Sequence, residues 1–150
     1  MLNRVLAVAL VCVILLSLAV GYVIIEPRTV TYRVEIAGVT LTVELAETSA
    51  DQQKGLSYRS SMASDHGMLF IFDHADLWGF WMHEMMFPLD IIWFNAQKQA
   101  VFMEVDLQPC TPQACPIYTP TAPALYVLEV NAGFVMAHNV TLGTTFTFVS

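Results

Sequence analysis

The sequence predicts a mainly β fold: a small antiparallel β barrel or sandwich with one short helix, preceded by a single N-terminal transmembrane helix. Three observations support this prediction. Residues 31–45 alternate between polar and apolar side chains, as half-buried strands do; further short apolar runs are separated by turn residues; and residues 5–25 form an uncharged stretch of 21 residues. The 150-residue chain therefore divides into an anchor at residues 1–28 and a β domain at residues 29–150.

The uncharged stretch is long enough to cross a membrane. As a helix, residues 5–25 would span about 31 Å, close to the hydrocarbon core of a bilayer. Arg4 precedes the stretch and all 13 acidic residues follow it, which favours a cytoplasmic N-terminus and a β domain outside the cytoplasm. A cleaved signal peptide is the alternative, because small residues at Ala19 and Gly21 fit a cleavage site near Gly21, which would give a secreted protein.

Alternation and turn residues predict the elements of the β domain. Residues 29–46 form a hairpin that turns at Ala37-Gly38, and the hydroxyl of Thr48 or Ser49 begins a short helix that ends near Gly55. The other predicted elements, in chain order, are buried strands at 67–72 and 79–85, a hairpin of 91–94 and 100–105, a loop at 107–124 with five prolines, and strands at 125–130 and 144–149.

Composition and charge narrow the classes of function. Hydrophobic residues make up 56% of the chain and charged residues 13%, which excludes a disordered protein, because disorder needs low hydrophobicity and high charge. Six scattered Lys and Arg stand against 13 Asp and Glu, a net charge of −7. No nucleic-acid partner is expected, since such a partner needs a basic patch. No cofactor is expected either, because the chain has neither a Gly-x-Gly-x-x-Gly nor a Walker motif.

Five short elements in order resemble the domain-of-unknown-function 192 family, over about Val34 to Phe148. They are Gly55-Leu56-x-x-Arg59, Gly67-Met68-Leu69-Phe70 with Phe72, Trp81-Met82 leading to Pro88-Leu89-Asp90, Cys115-Pro116-x-Tyr118, and Leu128-Glu129 with Gly133. The resemblance implies a compact, mainly antiparallel β domain that is secreted or tethered by one N-terminal helix, and it implies no activity.

The chain departs from the family pattern at two places. Where the family commonly carries Lys-Asn-Thr after Trp-Met, this chain has His83-Glu84-Met85, and where the family has Gly-Asp near the end, it has Gly143-Thr144. If the first of these positions serves a shared site, that site is altered here.

Three charged residues lie within the shared elements. Arg59, Asp90 and Glu129 each have apolar neighbours, and burial would force them to pair or hydrogen-bond. One hypothesis is a structural ion pair of Arg59 with Asp90 or Glu129. Another is a polar cleft in which the planar fork of Arg59 binds a carboxylate or other anion. The candidate ligand-binding residues are Arg59, Trp81, Met82, Asp90, Tyr118 and Glu129.

The two cysteines of the β domain are five residues apart in the proline-rich loop. Outside the cytoplasm Cys110 and Cys115 are expected to form a structural disulfide. Redox catalysis is less favoured, because the spacing is not Cys-x-x-Cys and no βαβ pattern surrounds it. Metal binding is the remaining alternative.

A cluster of methionine and histidine suggests copper as a further alternative. Thioether and imidazole ligands suit Cu(I), and Met82, His83 and Met85 lie close together in sequence. On a strand, however, His83 and Met85 would face away from Met82, and methionine is a common core residue. The sequence therefore predicts no metal site and keeps copper as a weak alternative.

These observations predict a non-catalytic binding or accessory module on the outer side of the membrane. Its partner would be a small ligand or a membrane-protein complex, with the membrane itself contacted by the N-terminal helix. The enzyme alternative is a hydrolase or redox enzyme that uses Asp90 with Glu129, or Cys110 with Cys115. The third hypothesis is periplasmic Cu(I) binding.

Overall fold

The structure is a computed structural model that describes residues 31–149, so the predicted anchor at residues 1–28 lies outside the described residues. Within 31–149 no helix is both long and apolar enough to cross a membrane. The elements are β1 (Thr31–Ile36), β2 (Val39–Ala46), α1 (Ser49–Lys54), β3 (His66–Asp76), β4 (Leu89–Phe94), β5 (Ala100–Leu107), β6 (Ala124–Asn131), α2 (Phe134–Ala137) and β7 (Phe146–Val149).

The described strands form one seven-stranded sheet in the order β5-β4-β6-β3-β2-β1-β7. The mainly β prediction is confirmed, but the closed barrel or two-sheet sandwich is wrong, because β5 and β7 are edges that do not pair along their length. The two edges approach at one corner, where Gln99 and Thr145 form an isolated bridge and the Ala100 N–H donates to the Thr144 carbonyl at 2.8 Å.

One strand pair departs from the antiparallel prediction. β2 and β3 run parallel, with Thr42 opposite His66 and Ala46 opposite Phe70. Parallel neighbours need a crossover connection, and α1 with the turns around it supplies that crossover. This connection matters for the site, because it carries α1 across one face of the sheet.

The sheet has an apolar core on each face. β4 is buried along its whole length: Ile92 and Phe94 face one core, and Ile91 and Trp93 face the other. The first core includes Val34, Leu41, Leu69, Ile92, Leu128 and Phe146, and the second core includes Leu56, Phe70, Met82, Ile91, Trp93 and Val127.

Most local predictions are confirmed. The β1–β2 and β4–β5 hairpins pair as expected, and α1 begins at the predicted cap, where Thr48 Oγ1 accepts from the Asp51 N–H at 3.1 Å. The strand predicted at 79–85 is wrong: this segment is a loop with isolated bridges at Phe80 and His83. Sequence analysis also missed α2, a helix of four residues.

Asp90 joins β4 to two neighbouring segments on the first-core side. It is fully buried; its Oδ1 accepts from the Asp106 N–H at 2.9 Å, and its Oδ2 accepts from the Val135 N–H at 2.8 Å. The first hydrogen bond satisfies an N–H group at the place where the register of the β4–β5 pairing shifts. The second satisfies an N–H group at the start of α2, where the N-cap residue Gly133 has no side chain to accept it. A single carboxylate thus serves backbone donors that the sheet and the helix leave free.

Replacing this carboxylate should destabilise the domain. In the Asp90→Asn variant an amide group would have to face an N–H donor, and hydrogen bonds to charged groups contribute about 1.5–3 kcal/mol each. We expect the free energy of unfolding to fall by about 2–3 kcal/mol, measured by thermal unfolding of the full-length protein in detergent. The matched control is Asp106→Asn, which keeps the bonded N–H and should change stability by less than about 0.5 kcal/mol. Equal stability of the two variants would contradict this role of Asp90.

Candidate functional site

A cavity of about 140 Å³ opens into the second core, between the end of α1 and the loop that follows β3. α1 and its C-terminal turn form one wall, and residues 78–85 form the opposite wall, while strands β3 and β6 provide the floor. The lining residues are Gln52, Gln53, Lys54, Gly55, Leu56, Ser57, Phe70, Phe72, Trp78, Gly79, Phe80, Trp81, His83, Met85 and Glu129.

Glu129 is the acidic residue of the cavity lining. It lies on β6, opposite Met68 of β3 and Ile91 of β4, and only 5% of it is exposed. Gly67 allows β3 to approach it closely, because a Cβ at Gly67 would lie 2.8 Å from the Glu129 carbonyl oxygen. On the opposite side, a Cβ at Gly55 would lie 4.0 Å from Glu129 Oε2. The α1 turn therefore lies directly against the carboxyl group.

The Glu129 carboxyl has an unpartnered oxygen. Oε2 is buried and has no hydrogen-bond partner among residues 31–149. Burial raises the pKa of Glu129 to about 8 from its ordinary 4.5, and the positive charge of Arg59 opposes that rise only in part. At neutral pH the group is therefore largely protonated when the cavity holds only protein atoms. Buried groups of this kind, with a perturbed pKa and in a cleft, are candidates for functional sites.

Aromatic rings form the wall next to Glu129. Phe72 and Trp78 stack with their ring centroids 4.1 Å apart, and Phe70 meets Phe80 edge-on at 4.8 Å. The Trp93 indole N–H donates to the Trp78 carbonyl at 2.8 Å, which fixes the start of the 78–85 loop to the second core. The wall is therefore held in place by the sheet.

Two contacts fasten this loop at its far end. The Tyr58 N–H donates to the Glu84 carbonyl at 2.9 Å, and both residues have positive φ, 63° and 61°. The Cys110 N–H donates to the Met82 carbonyl at 3.2 Å, and Cys110 forms a disulfide with Cys115. The Tyr58–Glu84 contact links the two walls of the cavity.

Arg59 does not enter the predicted ion pair. Its Nη1 pairs with Oε1 of Glu44, and its Nη2 donates to Oε2 of Glu44 at 2.8 Å, so the expected pairing with Asp90 or Glu129 is wrong. The hydrogen bond from Arg59 holds the pKa of Glu44 below its ordinary value. Because Glu44 already occupies the guanidinium fork, the structure gives no support to Arg59 as an anion-binding group.

The other four sequence candidates lie in four different places. Trp81 joins Glu129 in the cavity lining, and Met82 is fully buried in the second core. Tyr118 contacts the wall through its backbone, which exchanges hydrogen bonds of 2.8 and 2.9 Å with Phe80. Asp90 faces the first core, so Asp90 and Glu129 lie on opposite faces of the sheet and do not form an acid–base pair.

The copper and redox candidates also have defined places. His83 and Met85 line the cavity, whereas Met82 does not. Within residues 31–149 no group of three or more His, Cys, Asp or Glu side chains could hold a metal ion. The Cys110–Cys115 disulfide lies outside the cavity lining.

Sequence reasoning missed most of the cavity wall. Gln52, Phe72 and Phe80 were not candidates, although the density of aromatic residues between 70 and 81 is visible in the sequence. No sequence pattern indicates that Gln52 belongs to the site. Its Nε2 donates to the Ile71 carbonyl at 2.9 Å, and this contact depends on the path of α1 across the sheet.

The fold and the site define an open, curled β-sheet domain with an aromatic cavity built around a buried acid. The chain belongs to the domain-of-unknown-function 192 family: the family model, described as "Uncharacterized ACR", matches residues 32–148. Comparison with curated proteins gives no match.

Two crystal structures share the fold. One is from Sinorhizobium meliloti 1021 and is described as a "putative transcription regulator"; it is 33% identical, with a TM-score of 0.75, and the match covers 82% of this chain and 97% of that one. The other, from Novosphingobium aromaticivorans DSM 12444, is described as a protein of unknown function; it is 27% identical, with a TM-score of 0.74, and the match covers 81% of this chain and 89% of that one.

The protonated state of Glu129 should make stability depend on pH. Its folded pKa of about 8 lies above the ordinary 4.5, so the folded protein binds the proton more tightly than the unfolded chain does. This contribution is fully present below about pH 4.5 and is lost as the pH rises towards 8, by up to about 1.4 kcal/mol per pH unit. The melting temperature should therefore fall between pH 5 and pH 8. We expect Glu129→Gln to remove most of the fall that is due to Glu129.

The matched control for this measurement is Glu35→Gln, which changes an exposed glutamate on β1. It removes the same charge and should leave the pH dependence as in the unchanged protein. If both variants keep the full fall in melting temperature, Glu129 is ionised in the folded protein across this range.

Proposed function

We propose that this protein is a membrane-anchored, extracytoplasmic and non-catalytic module that binds a small ligand in the cavity above Glu129. The observation that carries the proposal is the buried Oε2 of Glu129, which has no hydrogen-bond partner among the described residues. An unpaired buried polar atom costs about 1–3 kcal/mol. A ligand that hydrogen-bonds to Oε2 would remove that cost on binding.

The dimensions of the cavity suit a small ligand. An engineered protein cavity of about 150 Å³ binds benzene, and this one measures about 140 Å³. Ligand sites are commonly apolar with a few convergent polar groups. Here the rings of Phe72, Phe80 and Trp81 supply the apolar surface, while Ser57 and Glu129 supply polar atoms.

Two other functions, acid–base catalysis and DNA binding, have less support. The acid–base enzyme predicted from sequence would need Asp90 beside Glu129, and Asp90 lies on the other face of the sheet. The name of the Sinorhizobium relative does not lead us to propose DNA binding, because 13 acidic residues outnumber six Lys and Arg in this chain. A phosphate backbone would be repelled by such a surface.

The anchor belongs to the same proposal. Residues 5–25 provide an uncharged span of bilayer length, and the Cys110–Cys115 disulfide suits an oxidising compartment. We expect the full-length chain to stay in the membrane fraction after alkaline carbonate extraction and to keep its N-terminal residues, measured by mass spectrometry. A soluble product beginning near Tyr22 would instead show cleavage and secretion.

Ligand binding can be tested with benzyl alcohol, a neutral probe of suitable size. With the full-length protein in detergent, we expect NMR shifts at the Gly55 and Gly79 amides that saturate at millimolar probe. Ser57→Phe should fill the mouth of the cavity and weaken binding at least about tenfold, roughly 1.4 kcal/mol. Ser60→Phe is the control, since Ser60 is exposed and outside the lining. Shifts that are absent, or equal in both variants, would refute the binding site.

A further inference from the structure

We infer that the ligand of this cavity is a small organic amine, bound as its ammonium ion with Glu129 as the counter-ion. This inference rests on the proposed binding function and adds the chemical class of the ligand. It draws on three features of the cavity: the unpartnered carboxyl oxygen, the aromatic lining and the distribution of charge.

The carboxyl group sets the first requirement. An ionised carboxylate only accepts hydrogen bonds, and a primary ammonium only donates them, with three N–H groups. Glu129 Oε2 is buried without a partner, so an ammonium at this position would supply both the missing donor and the opposite charge. Hydrogen bonds between charged groups are roughly twice as strong as neutral ones.

The aromatic lining favours the same class of ligand. Cations are attracted to the faces of aromatic rings, most strongly to that of tryptophan. Trp78 and Trp81 line the cavity together with Phe72 and Phe80. An amine with an apolar body would place that body against the rings and its ammonium within their electrostatic reach.

The guanidinium next to the cavity is not free to bind an anion, and the net charge of the chain favours a cation. The Arg59 guanidinium, which is near enough to lower the pKa of Glu129, is already paired with Glu44 through both of its terminal nitrogens. Lys54 and His83 also line the cavity, but Lys54 is exposed, so water and salt screen its charge. A ligand carboxylate would have to enter beside Glu129. The chain as a whole carries −7, which attracts cations towards its surface.

The size of the cavity limits the ligand. Its volume of about 140 Å³ accommodates a body of benzene size, which makes benzylamine a fitting probe. Benzyl alcohol has the same shape without the charge, and benzoate carries the opposite charge. Comparing the affinities of these three compounds therefore shows whether the cavity selects its ligand by shape or by charge.

The test is isothermal titration of the full-length protein in nanodiscs with each compound, against empty nanodiscs. We expect benzylamine to bind at least tenfold more tightly than benzyl alcohol and benzoate not to bind, with tenfold corresponding to about 1.4 kcal/mol. Because burial raises the pKa of Glu129 to about 8, benzylamine should also release close to one proton near pH 7, read from titrations in two buffers of different ionisation enthalpy. Benzyl alcohol should release none.

Variants test whether the Glu129 carboxylate causes the preference for benzylamine. Glu129→Gln should lose at least tenfold in benzylamine affinity and keep benzyl alcohol binding, which also reports that the variant is folded. Glu35→Gln is the matched control. Trp81→Leu, at a residue that is 55% exposed, provides a second variant that should narrow the preference for benzylamine without disturbing the core.

The outcomes separate this inference from the proposed function. If benzyl alcohol binds in the cavity as tightly as benzylamine, or if Glu129→Gln leaves benzylamine affinity unchanged, the amine inference is wrong and the binding module stands. If neither compound shifts the Gly55 and Gly79 amides of the folded protein, both proposals fall.

Discussion

The structure depends on the burial of β6 on both of its faces. This strand lies between β3 and β4, and each face of the sheet carries an apolar core. Every side chain from Val127 to Val130 is therefore buried, including Glu129. The same arrangement that stabilises the sheet places an acid where water cannot easily reach it, and α1 and the 78–85 loop complete its surroundings.

The two buried carboxyl groups within residues 31–149 differ in their hydrogen bonds. Asp90 accepts from the backbone N–H groups of Asp106 and Val135, so both of its carboxyl oxygens have partners within the fold. Glu129 has no hydrogen bond to its buried Oε2 among the described residues. Asp90 is therefore part of the scaffold, whereas Glu129 retains bonding capacity for something that enters the cavity.

Local features of the fold were predictable from sequence because their causes are local. The alternation of residues 31–45 and the cap at Thr48 depend on neighbours within a few positions, and both are found as expected. The apolar character of residues 79–85 predicts a strand. In the structure this segment is a loop whose side chains lie between the second core and the cavity, and its backbone does not pair along the sheet. Apolar character alone does not distinguish these cases.

The site was less predictable, because its contacts join distant parts of the chain. Glu129 and Trp81 were candidates, and both line the cavity. The partner of Arg59 was missed because Glu44, on an alternating strand, reads as a solvent-facing residue. Only the parallel pairing of β2 and β3 brings the segment after α1 back beside Glu44, and no pattern within either segment indicates that pairing.

The corner at which β5 and β7 meet has a consequence for association between molecules. A free strand edge presents unpaired backbone groups that can recruit a strand from another chain. Here Gln99 and Thr145 form a bridge just before β5 and β7 begin, and β7 is only four residues long. Lys98 adds a charge 5.3 Å from the centre of the Phe148 ring. β7 therefore offers little free edge, whereas, among residues 31–149, β5 is unpaired on its outer side beyond Ala100. Crowded copies of this domain would add strands at β5 first, and such addition is the first step towards aggregation.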